Sequence, residues 1–255
     1  MNAPARRTRS SGSSDATDLT PRQKGAPGGR RRPAPAVHIH DTSDESFVRA
    51  PKQERSRVSF ERAVDAAVAL LIERRSEAFT LAEVAERAGV SIGSIYGRVD
   101  SKDDLLRAAH AREMARIKDE NVRAFGDLDT SQDTLDVAVT ETIRTMAKLL
   151  RSDAKVLAPF MELARHDKTI AEAGKATYAE MVDGFRAALL IRRHEILHRD
   201  PERAVTWSCT VAYSVLARWL GLGDAGEAAE EGKWDDILAD LSEMITAFLR
   251  GSSAA

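Results

Sequence analysis

The chain of 255 residues contains one cysteine, Cys209. That excludes an intramolecular disulfide framework and a zinc site built from thiolates. A lone thiol suits a reducing compartment, so the cytoplasm is the expected location. No apolar run approaches the ~20 residues that a membrane-spanning helix needs, and no membrane partner is expected. The Arg6-Arg7 pair is not followed by an apolar stretch, so no secretory signal is expected either. Proline is scarce outside the first 51 residues, which hold six of the eight: Pro4, Pro21, Pro27, Pro33, Pro35 and Pro51. Alternating strand patterns and internal repeats are both missing. Net charge is also small, at −2, which taken whole argues against a nucleic-acid or membrane-surface partner.

That average conceals three regimes. Residues 1–50 carry nine Lys/Arg against five Asp/Glu, net +4. Residues 51–102 carry nine against eight, net +1, and residues 103–255 carry 20 against 27, net −7. Charge sorted in this way points to different tasks at the two ends. Residues 1–51 also hold Gly28-Gly29 and Arg30-Arg31-Arg32, and large apolar residues are nearly absent before Val37. Such a segment cannot bury enough surface to offset its ordering entropy, so it reads as a disordered basic arm.

From residue 56 to 250 the pattern is helical, and it predicts an all-α protein of about nine helices. Ser59 is placed to cap a first helix whose face is Phe60, Val64, Ala67, Val68 and Leu71. Thr80-Leu81-Ala82-Glu83 is a capping box that opens a short helix ended by Gly89. Ser91 is expected to cap the next helix, running to about Val99 with Ile95 and Val99 inward. Ser101-Lys102-Asp103-Asp104 starts a long helix toward Phe125. Leu135, Val139, Ile143, Met146 and Leu150 form another stripe, and Pro159 predicts that the following helix begins or kinks there. Ile170, Tyr178, Met181, Phe185 and Leu189 form the next. Asp200-Pro201 reads as a cap with proline at the first helical position. The last helix, Trp234 to Leu249, is closed by Gly251.

The informative stretch is Thr80 to Lys102. Two short helices joined by Ala88-Gly89-Val90-Ser91 have the layout of a helix-turn-helix, whose second helix can enter the major groove. That second helix points Ile92, Gly93, Ser94, Tyr96, Gly97 and Arg98 outward. Two glycines on an exposed helical face cost roughly 1 kcal/mol each relative to alanine. Close approach of the backbone to DNA is the compensation expected.

Residues from about Ser59 to Leu106 resemble the DNA-binding domain of TetR/AcrR-type transcriptional regulators. The resemblance rests on Ala66-Ala67, Thr80, Val84-Ala85, Ala88-Gly89-Val90-Ser91, Gly93-Ser94-Ile95-Tyr96, Ser101-Lys102 and Leu105-Leu106. It implies an N-terminal three-helix domain followed by a helical bundle for ligand binding and dimerisation. The expected division is residues 1–51 as the arm, 52–102 as the DNA-binding domain and 103–251 as the bundle. The resemblance also implies that Thr80, Ser94, Tyr96 and Lys102 contact phosphates, and that Ser91, Ile92, Gly93 and Gly97 lie nearest the base edges. Ile92 would meet a thymine methyl, and Arg98 would grip a phosphate or read a guanine. This chain departs from the pattern in four places. The first loop, Arg74-Arg75-Ser76-Glu77, lacks the usual glycine; Arg98 and Val99 replace a common histidine or tyrosine and a common phenylalanine; Gly97 stands where a side chain is more frequent.

The expected function is a homodimeric regulator, a repressor released from a palindromic operator in double-stranded DNA by an unidentified small molecule. Dimerisation is expected through the helices around residues 201–221 and 234–250, because both are apolar over wide arcs. Phe160, Met161, Tyr178, Met181, Phe185 and Trp207 are candidates to line a ligand pocket. One alternative is a ligand-independent DNA-binding protein that uses the basic arm. Another is a zinc enzyme, since His194-Glu195-Ile196-Leu197-His198 matches H-E-x-x-H, which on a helix places two imidazoles one turn apart. Flanking Arg192, Arg193 and Arg199 and the helix start at Asp200-Pro201 oppose that reading, so no catalytic residue, metal or cofactor is expected. His38-Ile39-His40-Asp41 and Arg165-His166-Asp167 read as polar sequence and a helix boundary, and Cys209 as a buried small hydrophobe.

Overall fold

The computed structural model describes residues 52–132, 134–223 and 229–251, and every regular element among them is helical. In chain order these are α1 (Lys52–Arg74), α2 (Leu81–Ala88), α3 (Ile92–Tyr96), α4 (Lys102–Gly126), α5 (Leu135–Leu163), α6 (Lys168–Leu190), a 3-10 turn at Arg193–Glu195, α7 (Pro201–Trp219) and α8 (Trp234–Arg250). The basic arm, with His38-Ile39-His40-Asp41, lies outside the described residues.

Three boundaries differ from the sequence reading. The first helix begins at Lys52, so Ser59 lies inside it and caps nothing. The added turns are polar and held by a Glu54–Arg57 pair at i,i+3, a signal that apolar periodicity does not register. Helix α3 ends at Tyr96, short of Val99, with Gly97 as its C-cap, the Gly97 amide donating to the Gly93 carbonyl (3.0 Å). Pro159 starts no helix: α5 runs through it for 29 residues, with Pro159 buried. Burial of Pro159 and Phe160, with Val156 and Leu163 packed against the same core, outweighs the single backbone donor that proline lacks.

Two hydrophobic cores form. One collects Val64, Ala67 and Leu71 of α1, Val84 of α2, Ile95 of α3, Leu105 and Leu106 of α4, and Phe160 from α5. The other collects Val139, Ile143 and Met146 of α5, Phe185 and Leu189 of α6, Leu216 of α7 and Ile245 of α8, with Phe125 from the far end of α4. Helix α4 therefore enters both cores, and the boundary expected after residue 102 falls at its first turn. Its contact with α6 is close. A Cβ at Gly184 would lie 2.6 Å from the Phe125 ring, so the ring presses on bare α6 backbone.

Ion pairs tie α4 to its neighbours along its length. Arg107 bonds Asp167, the N-cap of α6 (2.7 Å), and Arg112 pairs with Asp65 of α1 (2.7 Å). Arg116 bonds Asp153 of α5 (2.6 Å), and Lys118 pairs with Glu180 of α6. The Asp153 pair differs from the others because the carboxylate is buried (4% exposed). Burial raises its pKa despite the neighbouring guanidinium.

Arg116→Met would strand that carboxylate. The expected cost at pH 7 is about 2 kcal/mol, below the roughly 3–5 kcal/mol of a fully buried pair because Arg116 itself is partly exposed. The sign with pH follows from the raised pKa. An acid that binds its proton more readily when folded destabilises the fold above that pKa and ceases to as pH falls through it. Urea unfolding of both proteins at pH 7 and pH 5 should show the deficit shrinking at the lower pH, and a constant deficit would contradict the assignment.

Candidate nucleic-acid interface

Local capping chemistry sets the geometry of the α2–turn–α3 unit. The Thr80 hydroxyl accepts the Glu83 amide (3.2 Å), and the Glu83 carboxylate accepts the Thr80 amide (2.7 Å). Arg74 clamps the same carboxylate, and with the Thr80 bonds it pulls the Glu83 pKa down to about 2. The box therefore stays charged far below neutral pH. At the other end Gly89 takes φ +60°, with its amide donating to Glu86 while the Val90 amide reaches back to Ala85. A left-handed residue is required at this turn, and a side chain there costs roughly 1–2 kcal/mol. The chain then enters α3 at Ser91, whose hydroxyl accepts the Ser94 amide (3.1 Å) and meets the Ser94 hydroxyl (2.8 Å).

Only Ile95 of α3 is buried. Thr80, Ser91, Ile92, Gly93, Tyr96, Gly97 and Arg98 are exposed, and Ser94 and Lys102 half-buried. Ile92 at 43% and Tyr96 at 53% are large side chains left open to solvent. The Tyr96 ring is thus turned outward rather than sealed between helices. Gly93 and Gly97 have ordinary negative-φ backbone, and a Cβ at Gly93 would meet nothing nearer than the Ser91 hydroxyl at 3.9 Å. Among the described residues nothing requires glycine at position 93.

The two basic residues of the group are held in place. Arg98 donates from Nε to the Ser56 hydroxyl (3.2 Å) and lies over the Phe60 ring (5.8 Å), both on α1. Lys102, at the start of α4, donates to the Glu77 carbonyl (2.7 Å) and lies over Phe79 (5.6 Å). These anchors were not read from the sequence, since Ser56 and Glu77 sit 42 and 25 residues from the groups they hold. The first loop has its own strain: Arg75 takes φ +50°, where glycine would be relaxed.

The H-E-x-x-H segment is not a helix. His194 and Glu195 sit in the 3-10 turn and Ile196 is extended, so the two imidazoles are not stacked one turn apart. Glu195 accepts the Leu135 amide (2.9 Å) and pairs with Arg192. It thereby caps α5, whose own N-cap Thr134 makes no side-chain bond. The amide holds the Glu195 pKa low. His198 Nδ1 is engaged by the Asp200 backbone. Among the described residues no cluster of three His, Cys, Asp or Glu could hold a metal ion. Cys209 is buried, which pushes its thiol pKa up to about 12.

Behind the helix-turn-helix lies a cavity of about 350 Å³ between α4, α5, α6 and α7. Of the sequence candidates, Phe160, Met161, Tyr178 and Met181 line it. Phe185 does not, being sealed in the bundle core, and Trp207 faces solvent. Periodicity marks a helix's apolar face but cannot tell a cavity wall from solid core. His110 and Asn121 of α4 also line the cavity, and neither was foreseen.

Residues 63–109 match the family model described as bacterial regulatory proteins, tetR family. The match spans the helix-turn-helix with the helices on either side of it and supports the TetR-type regulator family. Solved structures of TetR-family regulators share its fold along most of its length. The fatty acid degradation regulator FadR of Bacillus halodurans is 18% identical, with a TM-score of 0.53, and the match covers 75% of this chain and 96% of that one. A TetR-family transcription regulator of Marinobacter aquaeolei is 15% identical (TM-score 0.51), with 77% and 98% covered. The transcriptional regulator FadR of Bacillus subtilis, solved in complex with stearoyl-CoA, is 17% identical (TM-score 0.51), with 75% and 98% covered. At these identities the likeness is one of fold. No curated protein sequence matches the chain. TetR-family regulators are generally transcription factors rather than enzymes. Among the described residues no helix is long and apolar enough to cross a membrane.

The glycines separate a folding role from a binding role. Gly89→Ala should lower unfolding stability by about 1–2 kcal/mol, whereas Gly93→Ala should leave it equal or up to about 1 kcal/mol higher. Gly93→Ala should nonetheless weaken duplex binding in an electrophoretic shift assay. Undiminished binding by that variant would remove the reason given for the glycine.

Proposed function

We propose that this TetR-family regulator is a homodimeric repressor that reads a palindromic operator through α3 and leaves it when a small molecule fills the cavity behind. On this reading residues 52–102 bind DNA and residues 103–251 sense and dimerise. The observation that carries it is the exposed α3 surface with its unneeded Gly93, presented beside two anchored cations. Thr80, Ser94, Tyr96 and Lys102 are assigned to phosphates; Ser91, Ile92, Gly93 and Gly97 to the base edges; Arg98 to a phosphate or guanine. Lys102 donates to the Glu77 carbonyl and pairs with the Glu77 carboxylate (3.4 Å), which leaves one of its three donors for a phosphate.

Release follows from α4. The helix begins beside the DNA-reading core and lines the cavity through His110, Met114, Ile117 and Asn121. A ligand that prefers one setting of α4 shifts the spacing of the two recognition helices. Support for the dimer comes from α7 and α8, which pack together yet leave Trp207 (58%), Met244 (50%) and Phe248 (38%) exposed. Exposed large apolar side chains on two adjoining helices fit a face covered by a second copy.

Selection of duplexes from a random library with the full chain should recover an inverted repeat whose half-sites lie about one DNA turn apart. Tyr96→Ala with Lys102→Ala should weaken binding to it at least tenfold and reduce the salt slope by about 1 for each phosphate no longer neutralised. Unchanged binding would refute the site. Separately, Trp207→Glu with Met244→Glu should convert a dimer to a monomer in sedimentation equilibrium and weaken operator binding at the same protein concentration. A wild-type protein that sediments as a monomer would rule out the dimer.

A further inference from the structure

We infer that the cavity between α4, α5, α6 and α7 takes an uncharged, largely apolar molecule held by a paired hydrogen bond to the Asn121 carboxamide. This rests on the ligand-responsive reading above and narrows it to one chemical class. Asn121 is 1% exposed and lines the cavity, and neither its Nδ2 nor its Oδ1 has a hydrogen-bond partner among the described residues. The other buried unpartnered atoms are single atoms of groups bonded elsewhere. Asp153 Oδ2 belongs to a carboxylate whose Oδ1 takes Arg116. Arg192 Nε belongs to a guanidinium that donates to the Ser131 carbonyl and to Glu195. At Asn121 a whole polar group goes unpaired, which is costly in a folded interior and calls for an occupant.

The rest of the wall defines that occupant. Met114, Ile117, Leu150 and Met181 present apolar surface. The Thr177 hydroxyl is committed to the Ala173 carbonyl (3.2 Å), and the Tyr178 hydroxyl lies near Thr210. Burial lowers the His110 pKa, which favours a neutral imidazole. Among the described residues no arginine, aspartate or glutamate lines the cavity, and the one charged side chain among them, Lys175, is exposed. A carboxylate or phosphate placed beside Asn121 would be desolvated with no buried counter-charge. A carboxamide offers one donor and one acceptor side by side, so its best complement is a lactam, an amide or a hydroxy-carbonyl group. The volume, about 350 Å³, is near the lower end for small-molecule sites.

The cavity also reaches the DNA-reading core. The His110 ring meets the Phe160 ring edge-on at 4.9 Å, and Phe160 belongs to the core built on α1 and α4. A molecule held at Asn121 on the same helix therefore bears on both ends of the transmission path.

The test uses the full chain and N-phenyl-1-naphthylamine as a fluorescent occupant, displaced by three near-isosteres: 4-butylbenzamide, 4-butyltoluene and 4-butylbenzoate. In the wild type the benzamide should compete at least tenfold better than either of the others. Asn121→Leu should still bind the fluorophore, should lose the benzamide's advantage over the toluene, and should raise the melting temperature of the free protein by roughly 2–4 °C, because an unpaired amide is removed. The inference is overturned if the benzoate or stearoyl-CoA competes best in the wild type, if Asn121→Leu keeps the benzamide preference, or if that variant melts lower. The wild-type ranking decides even where the variant does not fold. If neither the fluorophore nor any competitor binds the wild type, the ligand-responsive reading itself falls; binding in the wrong order sinks only the narrower claim.

Discussion

The first turns of α4 are buried among α1, α2 and α3, and its last turns are buried against α5 and α6. One helix of 25 residues, about 37 Å long, must therefore satisfy two hydrophobic cores at once. Its register is set at both ends, by Leu105 and Leu106 in one core and by Phe125 against the bare backbone of Gly184 in the other. Between them, arginines reach α1, α5 and α6 in turn. A rigid element fixed so firmly cannot deform gradually. On the proposed reading, a molecule in the cavity would act on α4 as a unit.

Around this rod the DNA-reading unit is built from short-range chemistry. Helices of eight and five residues have little intrinsic stability. They persist because their ends are capped by Thr80, Gly89 and Ser91 and because Val84 and Ile95 are fully buried. With folding carried by caps and a few core contacts, the outer face of α3 is free of structural duty. It can hold glycine, an exposed isoleucine and an exposed tyrosine, a combination that a self-contained surface would not favour. Residues 103–255 carry an acidic balance, while Arg98 and Lys102 hold positive charge beside α3.

The H-E-x-x-H segment illustrates how a local pattern can be absorbed by the fold. Five residues matched a metal-binding spacing, yet the spacing carries that meaning only on a helix. Here a 3-10 turn breaks it, and the glutamate closes the open amide end of α5, 60 residues earlier in the chain. A carboxylate at a helix N-terminus meets unpaired amides and a favourable dipole, which accounts for its place without any chemistry.

What the sequence determined by itself was local. The capping box at Thr80, the turn at Gly89, the caps at Ser91 and Ser101, the Asp200-Pro201 start and the Gly251 stop all depend on residues within a turn of one another, and each stands where the pattern placed it. The helix-turn-helix was legible for the same reason. What only the tertiary structure decided involves residues far apart in the chain. The polar start of α1 carries no apolar period, yet its Ser56 braces Arg98. Burial carried α5 through Pro159. The division of apolar residues into solid core at Phe185, cavity wall at Met181 and open surface at Trp207 depended on which helix came to lie opposite. Asn121 was one polar residue among many in a charged helix until three other helices closed over it and left its amide unpaired. Periodicity reports which side of a helix is apolar; what meets that side is set by packing, which no single segment encodes.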